Sequence, residues 1–329
     1  MELEEKITAL SETTPSENYI GISSKISDTD LPICLIILGM AGSGKTTFVN
    51  SLATFLNNNQ SPPYIVNLDP AVYNTPYKCN IDIRDIIKYK EVMHKYNLGP
   101  NGGIMTCLNL FVTKFNQVVD IIATKKGQNK YVIFDTPGQI EVFNWSASGS
   151  IISETLASTF PTIIIYIVDT PAIQSPITFM SNMIYACSIL YKMKLPFILA
   201  LNKIDLAEPK FAIEWMRDFE VFQNAIEDDT SYSSNLMRSL SLVLDEFYSV
   251  ISTAQISSVN GTGLENLIDE IKSAVKEYNE EYKVQFEKLQ QRKKEMKLKE
   301  EKGNQASIIT IHEIPLVKDI ENHTKPSNT

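Results

Sequence analysis

The apolar run Ile33–Leu38 ends in Gly39-Met40-Ala41-Gly42-Ser43-Gly44-Lys45-Thr46-Thr47, and no other stretch of the chain restricts its fold so strongly. Gly39, Gly44, Lys45 and Thr46 satisfy G-x-x-x-x-G-K-[ST], and the helical pattern "TTFVNSLATFL" follows at once. Glycines at these positions let a loop curl until successive N–H groups point inward. The helix behind adds its positive end, and the product is a cradle for phosphate. Gly42, Ser43, Gly44 and Thr47 belong to that cradle, Lys45 is placed to neutralise β and γ phosphates, and the Thr46 hydroxyl is placed to ligate Mg²⁺.

Five further short β-branched runs recur along the chain, at "PYIVNLD" from Pro63, "YVIFD" from Tyr131, "TIIIYIVD" from Thr162, "PFILALN" from Pro196 and "TAQISSV" from Thr253. They are continuously apolar, and helix-period stretches separate them. That pattern predicts an α/β fold of the P-loop NTPase kind, a mostly parallel sheet with helices on both faces and helical insertions. Ligands then belong at the carboxyl ends of the strands. The first thirty residues, with "SETTPSEN" and "SSKISDTD", read as a flexible polar extension, and residues 31–282 as one nucleotide-binding domain. From about Tyr278 the composition shifts to the almost wholly charged "EEYKVQFEKLQQRKKEMKLKEEKG", and 283–329 read as a solvated helix followed by a disordered tail in which "IITIHEIPLV" is apolar enough to dock.

Composition excludes several classes. With 30 basic against 39 acidic residues the summed field opposes a polyanion, so direct nucleic-acid binding is not expected. Cys34, Cys79, Cys107 and Cys187 are widely spaced and only three histidines accompany them, which disfavours a zinc site or a disulfide framework. No apolar run reaches the ~20 residues of a spanning helix, and the start of the chain has neither the apolar centre of a signal peptide nor the arginines of a transit sequence. The expectation is a protein without a membrane, in the cytoplasm, the nucleus or both.

Two more clusters stand where a nucleotide switch needs them. In "DTPGQ", Asp135 can hold the Mg²⁺ shell and the Gly138 N–H can sense a γ-phosphate, whose loss would release the loop. In "NKID", Asn202 to Asp205, with Lys203 between them, Asp205 can accept from the N1–H and the exocyclic amine of guanine. Adenine lacks that pair of donors and would leave the carboxylate unpaired. In "ISSV", Ser258 is placed to offer a backbone N–H to guanine O6.

The phosphate loop itself carries Met40-Ala41 where P-loop proteins that act as nucleotide-clamped dimers often carry an extra lysine. Another group must then stabilise the developing charge, in cis or from a second subunit. Gly99-Pro100-Asn101-Gly102-Gly103 is the candidate: Gly99 and Pro100 fix a tight turn, Gly102-Gly103 permit backbone angles barred to other residues, and Asn101 presents an amide able to donate to phosphate. Alternatively Asn101 itself fills a left-handed turn position.

Gly99-Pro100-Asn101, taken with "GMAGSGKTTFV", "NLDPAV", "NIDIRD", "KYKEVM", "DTPGQIEVF", "WSASG", "TFMSNMIYACSILYK" and "NKID", resembles the GPN-loop GTPase family over roughly residues 33 to 282. The resemblance implies a dimeric P-loop GTPase that uses Mg²⁺, binds GTP and GDP, and pairs with itself or with a GPN-loop paralogue. It implies that Asn101 reaches the partner's γ-phosphate region, and that Asp69, Asp135 and Gln139 serve the metal, the attacking water or the switch. It further implies a role in RNA polymerase II assembly and nuclear import, hence partners among the polymerase's subunits and shuttling between cytoplasm and nucleus. Two other readings stay open at this point: a GTP-dependent scaffold with negligible turnover, and a small-molecule kinase on the same scaffold, for which Arg84 is the one local arginine. Trp145 in "WSASG" and the Met and aromatic stripe from Phe179 to Tyr191, which includes Cys187, read either as core or as a partner groove.

Overall fold

A computed structural model describes residues 31–226 and 251–284, together with Ser239, Leu240, Leu244, Phe247 and Tyr248. The polar extension, the charged segment beyond Val284 and "IITIHEIPLV" lie outside the described residues. Seven parallel strands form one sheet in the order β3-β2-β4-β1-β5-β6-β7. They are β1 Ile33–Gly39, β2 Tyr64–Asn67, β3 Ile81–Asp82, β4 Tyr131–Asp135, β5 Thr162–Asp169, β6 Phe197–Asn202 and β7 Ser252–Gln255. All six apolar runs are strands. The seventh, β3, is two residues long and too short to show a pattern.

β1 to β6 are continuously buried apart from one residue each in β3 and β5, because helices cover both faces. On one face Ile33, Leu35 and Ile37 of β1 join a core with Phe48, Val49 and Leu52 of α1 (Lys45–Asn58) and Leu264, Leu267 and Ile271 of α11 (Leu264–Glu277). Burying a phenylalanine such as Phe48 contributes about 1.5–3 kcal/mol. On the other face Phe134 of β4 meets Phe115 of α5 (Phe115–Thr124), and Phe115 in turn meets Phe111 of α4 (Pro100–Val112). The chain passes from β1 outward to β2 and β3, returns to β4 beside β1, and crosses to β5 on the other side. The carboxyl end of β1 is therefore a topological switch point, where an open parallel sheet holds its ligand.

Strand register gathers the sequence motifs at this end. Asn67 and Ile37 lie level with Asp135, Gly39 with Ile167, and Asp169 with Asn202. α2 (Ile83–Ile86) and α3 (Tyr89–Tyr96) fill the connection from β3 toward α4. After β4 come α6 (Ile140–Asn144) and α7 (Ala147–Thr159), the latter capped by Ser146, whose Oγ accepts from the Gly149 N–H at 3.0 Å. α8 (Pro176–Met193) connects β5 to β6, and α9 (Lys210–Arg217) and α10 (Phe219–Ile226) follow β6. Along α8, Phe179, Met180, Met183, Ala186 and Ile189 are buried, which is the core reading. Ile177, Ile184 and Tyr191 of the same helix and Trp145 are exposed, and Cys187 is half-buried.

The segment around residue 101 departs from the turn expected of it. α3 ends at Asn97 in the left-handed region (φ 49°), Gly99 caps the next helix, and Pro100 is its first residue. Proline is suited to that place, since its fixed φ is helical and its missing N–H has no partner to lose. Asn101, Gly102 and Gly103 are consequently helical, neither in a turn nor at positive φ. Gly103 is small for a different reason: a Cβ there would lie 2.6 Å from Met93 Cγ and 2.9 Å from Tyr89 Cε2. α3 and α4 approach through that gap.

Contacts group the described residues up to Val275 into one compact unit and those from Lys276 into another, in which Tyr278–Tyr282 form a π-helical turn with the two tyrosine rings stacked. Among the described residues no helix is long and apolar enough to cross a membrane.

Candidate active site

Gly42 (φ 80°) and Gly44 (φ 94°) bend the loop between β1 and α1 through backbone angles costly for other residues. A Cβ on Gly44 would also stand 2.6 Å from Asn202 Nδ2. The loop wraps Lys45, whose Nζ donates to the carbonyls of Gly39 (2.8 Å), Met40 (3.0 Å) and Gly138 (3.2 Å). Burial pushes its ammonium below the ordinary lysine value, against the charges of Asp135, Asp69 and Glu141. The lysine thus stands between the phosphate loop and "DTPGQ", with three carboxylates around it. Ser43 is buried and its Oγ has no hydrogen-bond partner among the described residues, Thr46 is half-buried and Thr47 exposed.

Asp135 ends β4 and is 2% exposed. Its Oδ2 accepts from the Tyr77 hydroxyl at 2.5 Å, while its Oδ1 is buried without a hydrogen-bond partner among the described residues. Burial pushes the carboxyl up to about 6, although the Tyr77 and Thr46 hydroxyls and Lys45 favour the anion. An orphaned carboxylate oxygen beside a threonine hydroxyl is an all-oxygen donor set, which suits Mg²⁺; such ions take few protein ligands and keep phosphate and water for the rest. Accordingly, among the described residues no cluster of three His, Cys, Asp or Glu is grouped to hold a metal alone.

Asp69 lies on the loop after β2, and its Oδ1 accepts from the Ala71 N–H at 2.9 Å. Burial raises its carboxyl, and hydrogen bonds from the N–H groups of Ala71 and Gly138 oppose the rise. The Gly138 N–H, assigned by sequence to a γ-phosphate, therefore meets Asp69. Gln139 is exposed at the start of α6, and its side chain makes no capping bond. Thr136, next to Asp135 in the same segment, donates from Oγ1 to the Ile37 carbonyl at 2.6 Å and pins the segment to β1.

The base-side motif is tied to the phosphate loop by its own side chains. Asn202 Nδ2 donates to the Ser43 carbonyl (2.9 Å), and Lys203 Nζ donates to the Gly42 carbonyl (2.9 Å) and pairs with Asp169 (2.7 Å). Lys203 holds a left-handed angle (φ 66°) to do so. Asp205 is exposed and its Oδ1 accepts from Ser257 Oγ at 2.6 Å. The Ser258 N–H, expected to face guanine O6, donates instead to Asn202 Oδ1 at 3.1 Å, as does its hydroxyl at 2.8 Å.

Asn101 is exposed in the first turn of α4, and its side chain makes none of the hydrogen bonds found among the described residues. The start of that helix is held by the Tyr89 hydroxyl, which donates to the Pro100 carbonyl at 3.1 Å; Tyr89 also feels the Asp69 charge. Gly99 and Pro100 are thus tied to α3 through Tyr89.

A family model described as a conserved hypothetical ATP binding protein matches residues 37–277. GPN-loop GTPase 1 of Dictyostelium discoideum is 53% identical over 273 residues, 83% of this chain and 69% of that protein. GPN-loop GTPase 1 of Saccharomyces cerevisiae is 52% identical over 276 residues, 80% of this chain and 72% of that one. The chain belongs to the GPN-loop GTPase family. The crystal structure of a GTPase in apo form from Pyrococcus abyssi superposes with a TM-score of 0.65 at 26% identity, covering 74% of this chain and 97% of that one.

Three residues of this GPN-loop GTPase site escape a reading by motif. Tyr77 reaches Asp135 across 58 positions, Asp169 pairs with Lys203 across 34, and Arg84 binds Asp82 with Nη2 at 2.6 Å while Nη1 takes the carbonyls of Val72 (3.1 Å) and Tyr73 (2.9 Å). Burial works against the Asp82 anion, yet hydrogen bonds from Arg84 and Asn67 hold its carboxyl below the usual value. Arg84 is thereby engaged within its own loop, away from a kinase lid. Only the local pair Asp82-x-Arg84 carried a signal in sequence.

Proposed function

We propose that this GTPase is a Mg²⁺-dependent switch that works as a dimer, with itself or with a GPN-loop paralogue, each subunit lending Asn101 to the other's phosphate site. The observation that carries the reading is that the carboxyl ends of β1, β4 and β6, on one side of the sheet, carry the phosphate loop with Lys45, a carboxylate with one orphaned oxygen, and the aspartate of the base-side motif. Thr46 and Asp135 would hold the metal, whose chemistry is to spread the charge of the phosphates. Lys45 neutralises the β and γ phosphates once they displace its carbonyl partners. Asp69, raised by burial and fixed by N–H groups, accepts a proton from water or orients it, and Gln139 is free to turn toward the same water. Asp205 selects guanine, against the word "ATP" in the family model's description, because adenine would leave its carboxylate unmatched. A role in RNA polymerase II assembly and nuclear import, with shuttling between cytoplasm and nucleus, is supported by the resemblance of the long sequence blocks alone.

The test is turnover of GTP and ATP with Mg²⁺ and with EDTA, in the parent and in Asp205→Asn. We expect hydrolysis that needs Mg²⁺ and prefers GTP, and in the variant a shift of affinity from GTP to xanthosine triphosphate of about a hundredfold, as for lost paired hydrogen bonds. Equal use of ATP and GTP by the parent, or unchanged selectivity in the variant, removes the guanine assignment.

A further inference from the structure

The metal-side carboxylate is held by a residue that no phosphate motif contains. Tyr77 sits on the irregular connection from β2 to β3 and is 8% exposed, with its hydroxyl on Asp135 Oδ2. The connection is rigidly mounted. Asn80 bonds both ways to Ile65, its N–H to the carbonyl at 2.8 Å and its Oδ1 from the N–H at 2.7 Å. Arg84 grips the carbonyls of Val72 and Tyr73, and Asn67 Nδ2 bridges to Asp82 Oδ1 at 3.1 Å. A phenol keeps its proton at neutral pH and can give one hydrogen bond in a fixed direction. One carboxylate oxygen is thus committed to Tyr77, and the buried, unpartnered Oδ1 is left for an ion.

We propose that Tyr77 is a positioning residue for Mg²⁺: by occupying Asp135 Oδ2 it presents Oδ1 alone, in one orientation, next to Thr46. The inference rests on the Mg²⁺ reading given under the proposed function. Its advantage to the site is preorganisation, since the carboxylate need not be turned when the ion arrives. The β2–β3 connection also places Asp69 on the Gly138 N–H, so the same loop holds the switch segment at a second point.

The experiment is retention of fluorescently labelled GDP by the full chain as a function of free Mg²⁺, for the parent and for Tyr77→Phe, with Cys79→Ser as a neighbour on the same loop. Losing one hydrogen bond to a buried anion should raise the Mg²⁺ needed for half-maximal retention by about tenfold or more. GDP affinity in EDTA should stay at the parental value, and Cys79→Ser should match the parent throughout. A merely structural role would instead lower the melting temperature and the EDTA affinity together, leaving the Mg²⁺ midpoint in place, and that pattern would overturn the proposal. So would a tighter Mg²⁺ midpoint in Tyr77→Phe. If the parent itself retains GDP equally with and without Mg²⁺, the metal reading falls first and the role of Tyr77 falls with it.

Discussion

Asp135 is an acid kept where its charged form is poorly solvated, and the consequence can be measured. Its carboxyl rises from 3.8 to about 6 because burial outweighs the hydrogen bond from Tyr77, the nearby Thr46 hydroxyl and the charge of Lys45. Between those values the folded chain holds a proton that the unfolded chain has released, so stability falls as pH rises through this window and is level above it. Asp135→Asn has no charge to bury and still offers Tyr77 an acceptor. It should therefore be more stable than the parent at pH 7 by up to about 3 kcal/mol, the worth of a shift of this size. The gain should shrink to nothing near pH 4, while GTP turnover is largely lost. Denaturant melts at pH 4, 5, 6 and 7 check this: a variant less stable than the parent at pH 7 would show that the buried anion costs little. On the proposed reading, the site gives up stability for a metal ligand, as functional sites commonly do.

At the level of elements, α4 joins an exposed asparagine to a tightly packed neighbour, and its two glycines should respond oppositely to alanine. At Gly102 a Cβ would be 3.5 Å from Leu98 Cδ2, an ordinary contact, so Gly102→Ala should stabilise by up to about 1 kcal/mol through helix propensity. At Gly103 the clash with Met93 and Tyr89 must move side chains, and overpacking of this kind costs about 1–3 kcal/mol. Because Tyr89 holds the Pro100 carbonyl, Gly103→Ala should also slow turnover, whereas Gly102→Ala should not. Thermal melts and steady-state rates on the two variants separate the effects. This pair also marks the limit of reading the chain by pattern. The phosphate loop, the strand ends at Asp135 and Asn202 and the six long strands were legible because each is a local pattern of apolar runs and turn residues. Gly102 and Gly103 looked like turn glycines because the sequence does not show what packs against them. Tyr77 and Asp169 find their partners 58 and 34 positions away, so nothing in their own neighbourhoods announced them, and the partner that the Ser258 N–H takes, Asn202, is equally remote in sequence.

For the molecule as a whole, the open question is whether one chain contains a complete site. Lys45, Asp69, Asp135 and Asp205 converge within a single chain, but Asn101 points from the first turn of α4 with no partner among the described residues. Met105, one turn further on the same face, is 40% exposed, so an apolar side chain stands beside Asn101 where another subunit could meet it. If Asn101 acts in trans, Asn101→Ala and Lys45→Ala damage different halves of one composite site. Each alone should bind or turn over GTP poorly, Asn101→Ala keeping its affinity and Lys45→Ala losing it. Mixed in equal amounts and allowed to exchange, half of randomly paired dimers are mixed, and each mixed dimer has one intact site of two. Turnover should recover to roughly a quarter of the parental rate in a two-fold symmetric dimer. It should fall again on dilution and with Met105→Asp, which places a charge in the contact. If Asn101 acts within its own chain, no mixing ratio can exceed the average of the two variants, and the rate per chain is independent of protein concentration.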